Sequence, residues 1–220
     1  MPDHNLEEEF SPQDKNLSIT SRLLKFYQSN KKLTYICFLS LIIFTGSFFY
    51  YVENKEKEKI SMSDKYIKAK MYIDNNDNKV AEKILKEVIF ANDSTYSVLS
   101  LFLIIEEKIE LDKKEISKLF NHLIENNKFD KETKNLITLK KAIHESNFLN
   151  EYDFLMIVKP IISSDSIWKP HALMLAGDYF FFKNEKLKAK DFYTQILSLK
   201  DISQEMYGQS KTKLESISND

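Results

Sequence analysis

Imidazole or thiolate chemistry in this chain would have to be built from four histidines, His4, His122, His144 and His171, and one cysteine, Cys37. No two of the histidines lie three or four positions apart, the spacing that puts two imidazoles on one helix face. Cys37 sits in an uncharged apolar run, away from any base that could take its proton, and alone it closes no intrachain disulfide. Carboxylates are plentiful, as in IIEEKIE at 104–110, but Glu106 and Glu107 diverge around a helix and do not converge as an acid–base pair. Neither a Gly-x-Ser-x-Gly elbow nor a Walker-type loop occurs. His144 and His171 read as surface or groove-rim residues. The chain reads as a non-enzyme that needs no metal and no cofactor.

The elements that carry these residues are helical. Only three glycines and four prolines occur in 220 residues, too few turn formers for a many-stranded sheet. The formal net charge is −1 and Arg22 is the only arginine, so neither a global field nor bidentate guanidinium readout favours nucleic acid.

Residues Leu33–Val52, LTYICFLSLIIFTGSFFYYV, contain no charge. A helix of that length spans about 30 Å, the thickness of a bilayer's hydrocarbon core. Lys31 and Lys32 bracket one end, Glu53 and Lys55 the other, and Tyr50 and Tyr51 suit an interfacial aromatic belt. The run begins far from Met1 and has no small-x-small site at its end, so it is expected to stay as an anchor and not to be cleaved as a signal peptide. The expected organisation is a cytoplasmic tail over 1–32, a transmembrane helix over 33–52, a charged stalk over 53–59 and a helical domain over 60–220. Lysines are balanced on the two sides, so the short tail decides the orientation: tail inside, domain outside.

Beyond the stalk, amphipathic segments are expected at 60–74, 79–91, 95–109, 113–126, 131–146, 151–163, 169–183, 185–199 and 203–217, joined by short polar turns. Such helices form antiparallel hairpins, and stacked hairpins form a solenoid. The stretch LAGDYFFFKNEKLKAKDFY at 175–193 fits one repeat unit. Leu173, Ala176, Gly177 and Phe180 follow the first-helix pattern of a tetratricopeptide unit, and Ala189 with Tyr193 follows the second. Gly177 precedes Ala189 by twelve, and at the start of the domain Ala69 precedes Ala81 by the same interval. Small residues at these positions let two helices approach closely. The middle units are degenerate, with Leu103 or Ile104, and then Ala142, near the small positions. The last segment, with Ile202, Met206, Leu214 and Ile217 on one side, suits a cap.

Anchor and repeats together resemble the tetratricopeptide-like proteins of the YfgM type, the ancillary subunits of the bacterial SecYEG translocon. The resemblance runs from about Leu24 to the C-terminus and is closest in WKPHALMLAGDYFFFKNEKLKAKDFYTQIL at 168–197. It implies an all-α chain in the bacterial inner membrane, single-pass, with a cytoplasmic N-terminus and a periplasmic helical-repeat domain. It also implies protein partners: translocon subunits, periplasmic chaperones or secreted chains.

A concave surface in such an array would be lined by His171, Met174, Asp178, Phe181 and Phe182 in the last unit, and by Tyr66, Lys70 and Ile73 in the first. The function expected is a membrane-anchored interaction module that assists protein translocation or chaperone hand-over. The alternative is a scaffold for an envelope-assembly or cell-division complex.

Overall fold

The computed structural model of the chain describes Tyr27 and residues 30–219, and among these the regular structure is α-helix. Most of the expected tail, 1–32, lies outside the described residues. The chain divides into two units, Met1–Glu58 and Lys59–Asp220.

The apolar run lies in α1 (Lys31–Asp74), and no residue between Leu33 and Val52 is buried. Two of its hydroxyls turn back onto their own helix: Thr45 Oγ1 donates to Leu41 O at 3.0 Å and Ser40 Oγ to Cys37 O at 2.8 Å. The segments expected as span, stalk and first domain helix form one helix. The reason lies in residues 53–59, where Glu and Lys favour helix and pair across a turn, Lys57 with Glu53 at 2.7 Å and Lys55 with Glu58 at 3.1 Å.

The second unit holds the last turns of α1, then α2 (Asn78–Phe90), α3 (Tyr96–Glu106), α4 (Lys113–Asn126), α5 (Lys131–Glu145), α6 (Glu151–Ile162), α7 (Lys169–Phe182), α8 (Lys186–Leu197) and α9 (Gln204–Asn219). From α2 onward each helix packs on the next, and α2 also touches α4. The result is a series of hairpins stacked in chain order.

Acidic and amide side chains start several of these helices. Asp130 Oδ1 accepts from the amides of Glu132 at 2.9 Å and Thr133 at 3.0 Å, and Asn150 Oδ1 from that of Asp153 at 2.9 Å, satisfying N–H groups the helix leaves open. Ahead of α3 the same service comes from Asp93, whose Oδ1 accepts from Tyr96 N at 2.7 Å.

Three hairpins turn in the same way. Asn76, Lys108 and Asn184 adopt φ of 60°, 51° and 62°, the left-handed region that ends a helix. The residue after each then donates back five positions: Asp77 to Tyr72 O at 2.8 Å, Ile109 to Ile104 O at 3.0 Å, Glu185 to Phe180 O at 2.8 Å. Asparagine tolerates this conformation; Lys108 adopts it with Ile109 buried behind it, which is why α3 stops at Glu106 and does not reach 109 as the periodicity predicts.

Among the described residues two large buried clusters run through the stack, with a small third of Leu139, Ile161 and Ala172. One gathers Ala69, Leu85, Leu101, Ile104, Phe120 and Ile137; the other gathers Ala142, Phe154, Leu173, Phe180 and Tyr193. Each large apolar side chain buried in them contributes about 1.5–3 kcal/mol. Met206, Leu214 and Ile217 of α9 pack onto the second cluster.

The α7–α8 hairpin is the tightest. A methyl group on Gly177 would fall 2.7 Å from Tyr193 Cδ1 and closer still to Cε1, so only glycine admits the tyrosine ring at this crossing. Ala189 and Tyr193 are fully buried beside it.

A polar clasp fixes α7 against α5. The Glu132 carboxylate accepts from Ser166 Oγ at 2.7 Å and Ile167 N at 3.1 Å, while Trp168 Nε1 donates to Glu132 O at 3.1 Å.

Candidate interaction groove

The residues expected to line a concave surface take different places. Asp178 is held from within: Tyr193 Oη donates to its Oδ1 at 2.7 Å, and Lys213 Nζ of α9 reaches the same oxygen at 2.8 Å. Burial, and then that hydrogen bond, push the Tyr193 phenol well above the ordinary tyrosine range. Met174 and Phe181 are half-buried and pack on the second core cluster. His171 is exposed, its ring 5.5 Å from that of Trp168. Phe182 stands out with 85% of its surface exposed. In the first unit Tyr66 and Ile73 pack on the first cluster, Tyr66 also meeting Tyr96 at 6.0 Å between ring centres, and Lys70 is exposed.

Of these eight residues, Asp178 and Phe182 share a hollow. With Leu175 and Tyr179 of α7, and with Ser146 and Asn147 just past α5, they enclose about 330 Å³. Phe181 points away from it because neighbours on a helix diverge by about 100°.

A larger hollow, of about 650 Å³, lies between α3 and α5. Its lining includes Phe102 and Ile105 of α3, Ile143 and His144 of α5, and Lys113, Lys140 and Glu106. Asn147 lines both hollows, so they adjoin along the α3, α5 and α7 side of the stack. The sequence reading of a groove did not include Phe102, Ile105, Lys140 or Ile143, and it placed His144 only at a rim. The available signal was the composition of α3, YSVLSLFLIIE. Leu101, Leu103 and Ile104 fill the core, leaving Phe102 and Ile105 only half-buried. A helix apolar all round has more than one face to cover.

The chemistry of the larger hollow is amphiphilic. Lys140 Nζ lies 5.9 Å from the Phe102 ring centre and Lys113 Nζ 5.7 Å from that of Phe148, each cation resting on an aromatic face. The His144 ring sits between Phe120 and Phe148, 6.2 Å and 6.0 Å away, and its Nε2 is buried without a hydrogen-bond partner. Ser100 Oγ, Asn127 Oδ1 and Asn135 Nδ2 are buried in the same way. Among the described residues no cluster of His, Cys, Asp and Glu could hold a metal ion.

Arrangements of this kind can bind: an apolar floor fixes a side chain, and cations at the edge select charge. No protein-family model, no curated protein and no solved structure matches the chain.

Proposed function

We propose that this protein is a membrane-anchored, non-enzymatic interaction module whose tetratricopeptide-like domain holds a protein partner at the bilayer surface. The observation that carries this reading is the pairing of two features in one chain. One is an uncharged apolar run with no buried residue; the other is a stack of hairpins with an amphiphilic groove along one side.

Several details support each half. The Ser40 and Thr45 hydroxyls within the run bond to their own backbone, which is compatible with a hydrocarbon surrounding. The recurring left-handed turns at Asn76, Lys108 and Asn184, and the glycine at the Tyr193 crossing, are features that stacked repeats need. In this reading the domain faces the periplasm of a bacterium, as the resemblance to YfgM-type translocon subunits implies, and the partner is a translocon subunit, a periplasmic chaperone or an emerging secreted chain. The mechanism is affinity plus proximity: the anchor confines the groove to the membrane plane and raises its effective concentration for neighbours.

Co-purification from detergent-solubilised membranes is the test. Translocon subunits or periplasmic chaperones are the expected main partners. Recovery of cell-division or envelope-assembly proteins in their place would replace the translocation role with a scaffolding one, and recovery of the chain alone would remove both.

A further inference from the structure

Resting on the reading of the second unit as an interaction module, we propose that the hollow between α3 and α5 docks an acidic peptide segment, one large apolar side chain flanked by carboxylates. The floor is apolar and partly open. Phe102 and Ile105 are half-buried, and Ile143 keeps 47% of its surface exposed, so a leucine- or phenylalanine-sized side chain finds area to cover. Lys113 and Lys140 line the hollow, neither is ion-paired with a carboxylate among the described residues, and each lies over an aromatic ring. Among the described residues Glu106 is the one acidic residue in the lining, against two lysines, so the net charge there is positive.

The shape of the site decides between classes of occupant. It continues past Asn147 into the second hollow, where Phe182 is exposed, and so suits an extended chain better than a compact headgroup.

The test pans phage-displayed random peptides against the full chain in detergent micelles, then measures enriched sequences as fluorescein-labelled synthetic peptides by anisotropy. Enriched peptides are expected to place Asp or Glu within two positions of a large apolar residue. Reversing both edge charges, Lys113→Glu with Lys140→Glu, should weaken them about tenfold, the scale of two exposed ion pairs turned to repulsion. Both lysines are exposed, so the variant should melt like the parent; Ile143→Asp, also at an exposed position, is a second variant that should weaken binding.

Enrichment of basic or wholly apolar peptides overturns the assignment. Binding indifferent to all three substitutions overturns it too, but leaves an interaction module whose groove lies elsewhere. Absence of any enrichment counts against module and hollow together. Displacement of the peptide by monomeric dihexanoyl phosphatidylglycerol at equal potency would give the hollow to an anionic lipid. A homodimer dispersed by the charge reversal would give it to a second copy of this chain.

Discussion

Replacing Gly177 with alanine adds one methyl group at the α7–α8 crossing. In an ordinary helix that change stabilises by about 1 kcal/mol, because alanine is the better helix former. Here the new carbon would meet Tyr193 Cδ1 at 2.7 Å and Cζ at 2.9 Å, inside any tolerable contact. The ring has little room to withdraw. It is fully buried, and its hydroxyl is tied to Asp178 at 2.7 Å. Overpacking of this kind costs about 1–3 kcal/mol, and a clash with an anchored ring belongs at the upper end. Setting about 3 against the gain of about 1 leaves a net loss of about 2 kcal/mol, or a fall in melting temperature of about 4–8 °C for a unit of this size.

The chain contains one tryptophan, Trp168, at the start of α7 and bonded to Glu132 O, so its fluorescence reports unfolding of the element under test. Gly208 of α9 supplies the control, because nothing lies within 4 Å of the carbon that Gly208→Ala would add. That variant should gain about 0.5–1 kcal/mol, so the same substitution changes sign between two helices. In a Tyr193→Leu background Gly177→Ala should lose most of its cost, a coupling of about 2–3 kcal/mol. If Gly177→Ala raises the melting temperature as Gly208→Ala does, the two helices do not cross there and the alignment of small residues is wrong.

Two further outcomes follow from the same hairpin. Tyr193 is harder to ionise folded than unfolded, so its contribution is intact below the ordinary tyrosine value of 10.0 and is lost as pH climbs above it; Tyr193→Phe should flatten the alkaline part of a stability-against-pH curve while lowering the plateau by about 1–2 kcal/mol for the lost bond to Asp178. Phe181→Ala and Phe182→Ala should separate in thermal melting: Phe181 packs on the core cluster and should cost at least about 1.5 kcal/mol, whereas Phe182, 85% exposed, should change stability by about 0.5 kcal/mol or less. Equal losses would mean that Phe182 is covered.

The helices were legible because their cause is local. Apolar residues recurring every three or four positions, broken by short polar turns, account for α4 through α8 to within a few residues at each end, and twelve-residue spacing picks out Gly177 and Ala189. The junction through residues 53–59 was harder to read, since a run of Glu and Lys serves equally as a solvated linker and as a helix with paired charges. The groove was less legible still, and the cause is geometric. A helical wheel says which residues share a face, but not which face the next hairpin covers. Asp178 and Phe182 lie four apart and share a hollow, yet Lys213, thirty-five residues on, ties the first into the stack, and nothing buries the second. Phe102 and Ile143 belong to different helices and meet in one hollow only because the stack brings α3 and α5 to its two walls. Residues that hold one hairpin together can therefore be found from spacing within that hairpin. A surface shared by several hairpins depends on the offset between them, and in this chain the apolar residues that their cores leave partly or fully exposed, such as Phe102, Ile143 and Phe182, were the trace of it that a sequence carries.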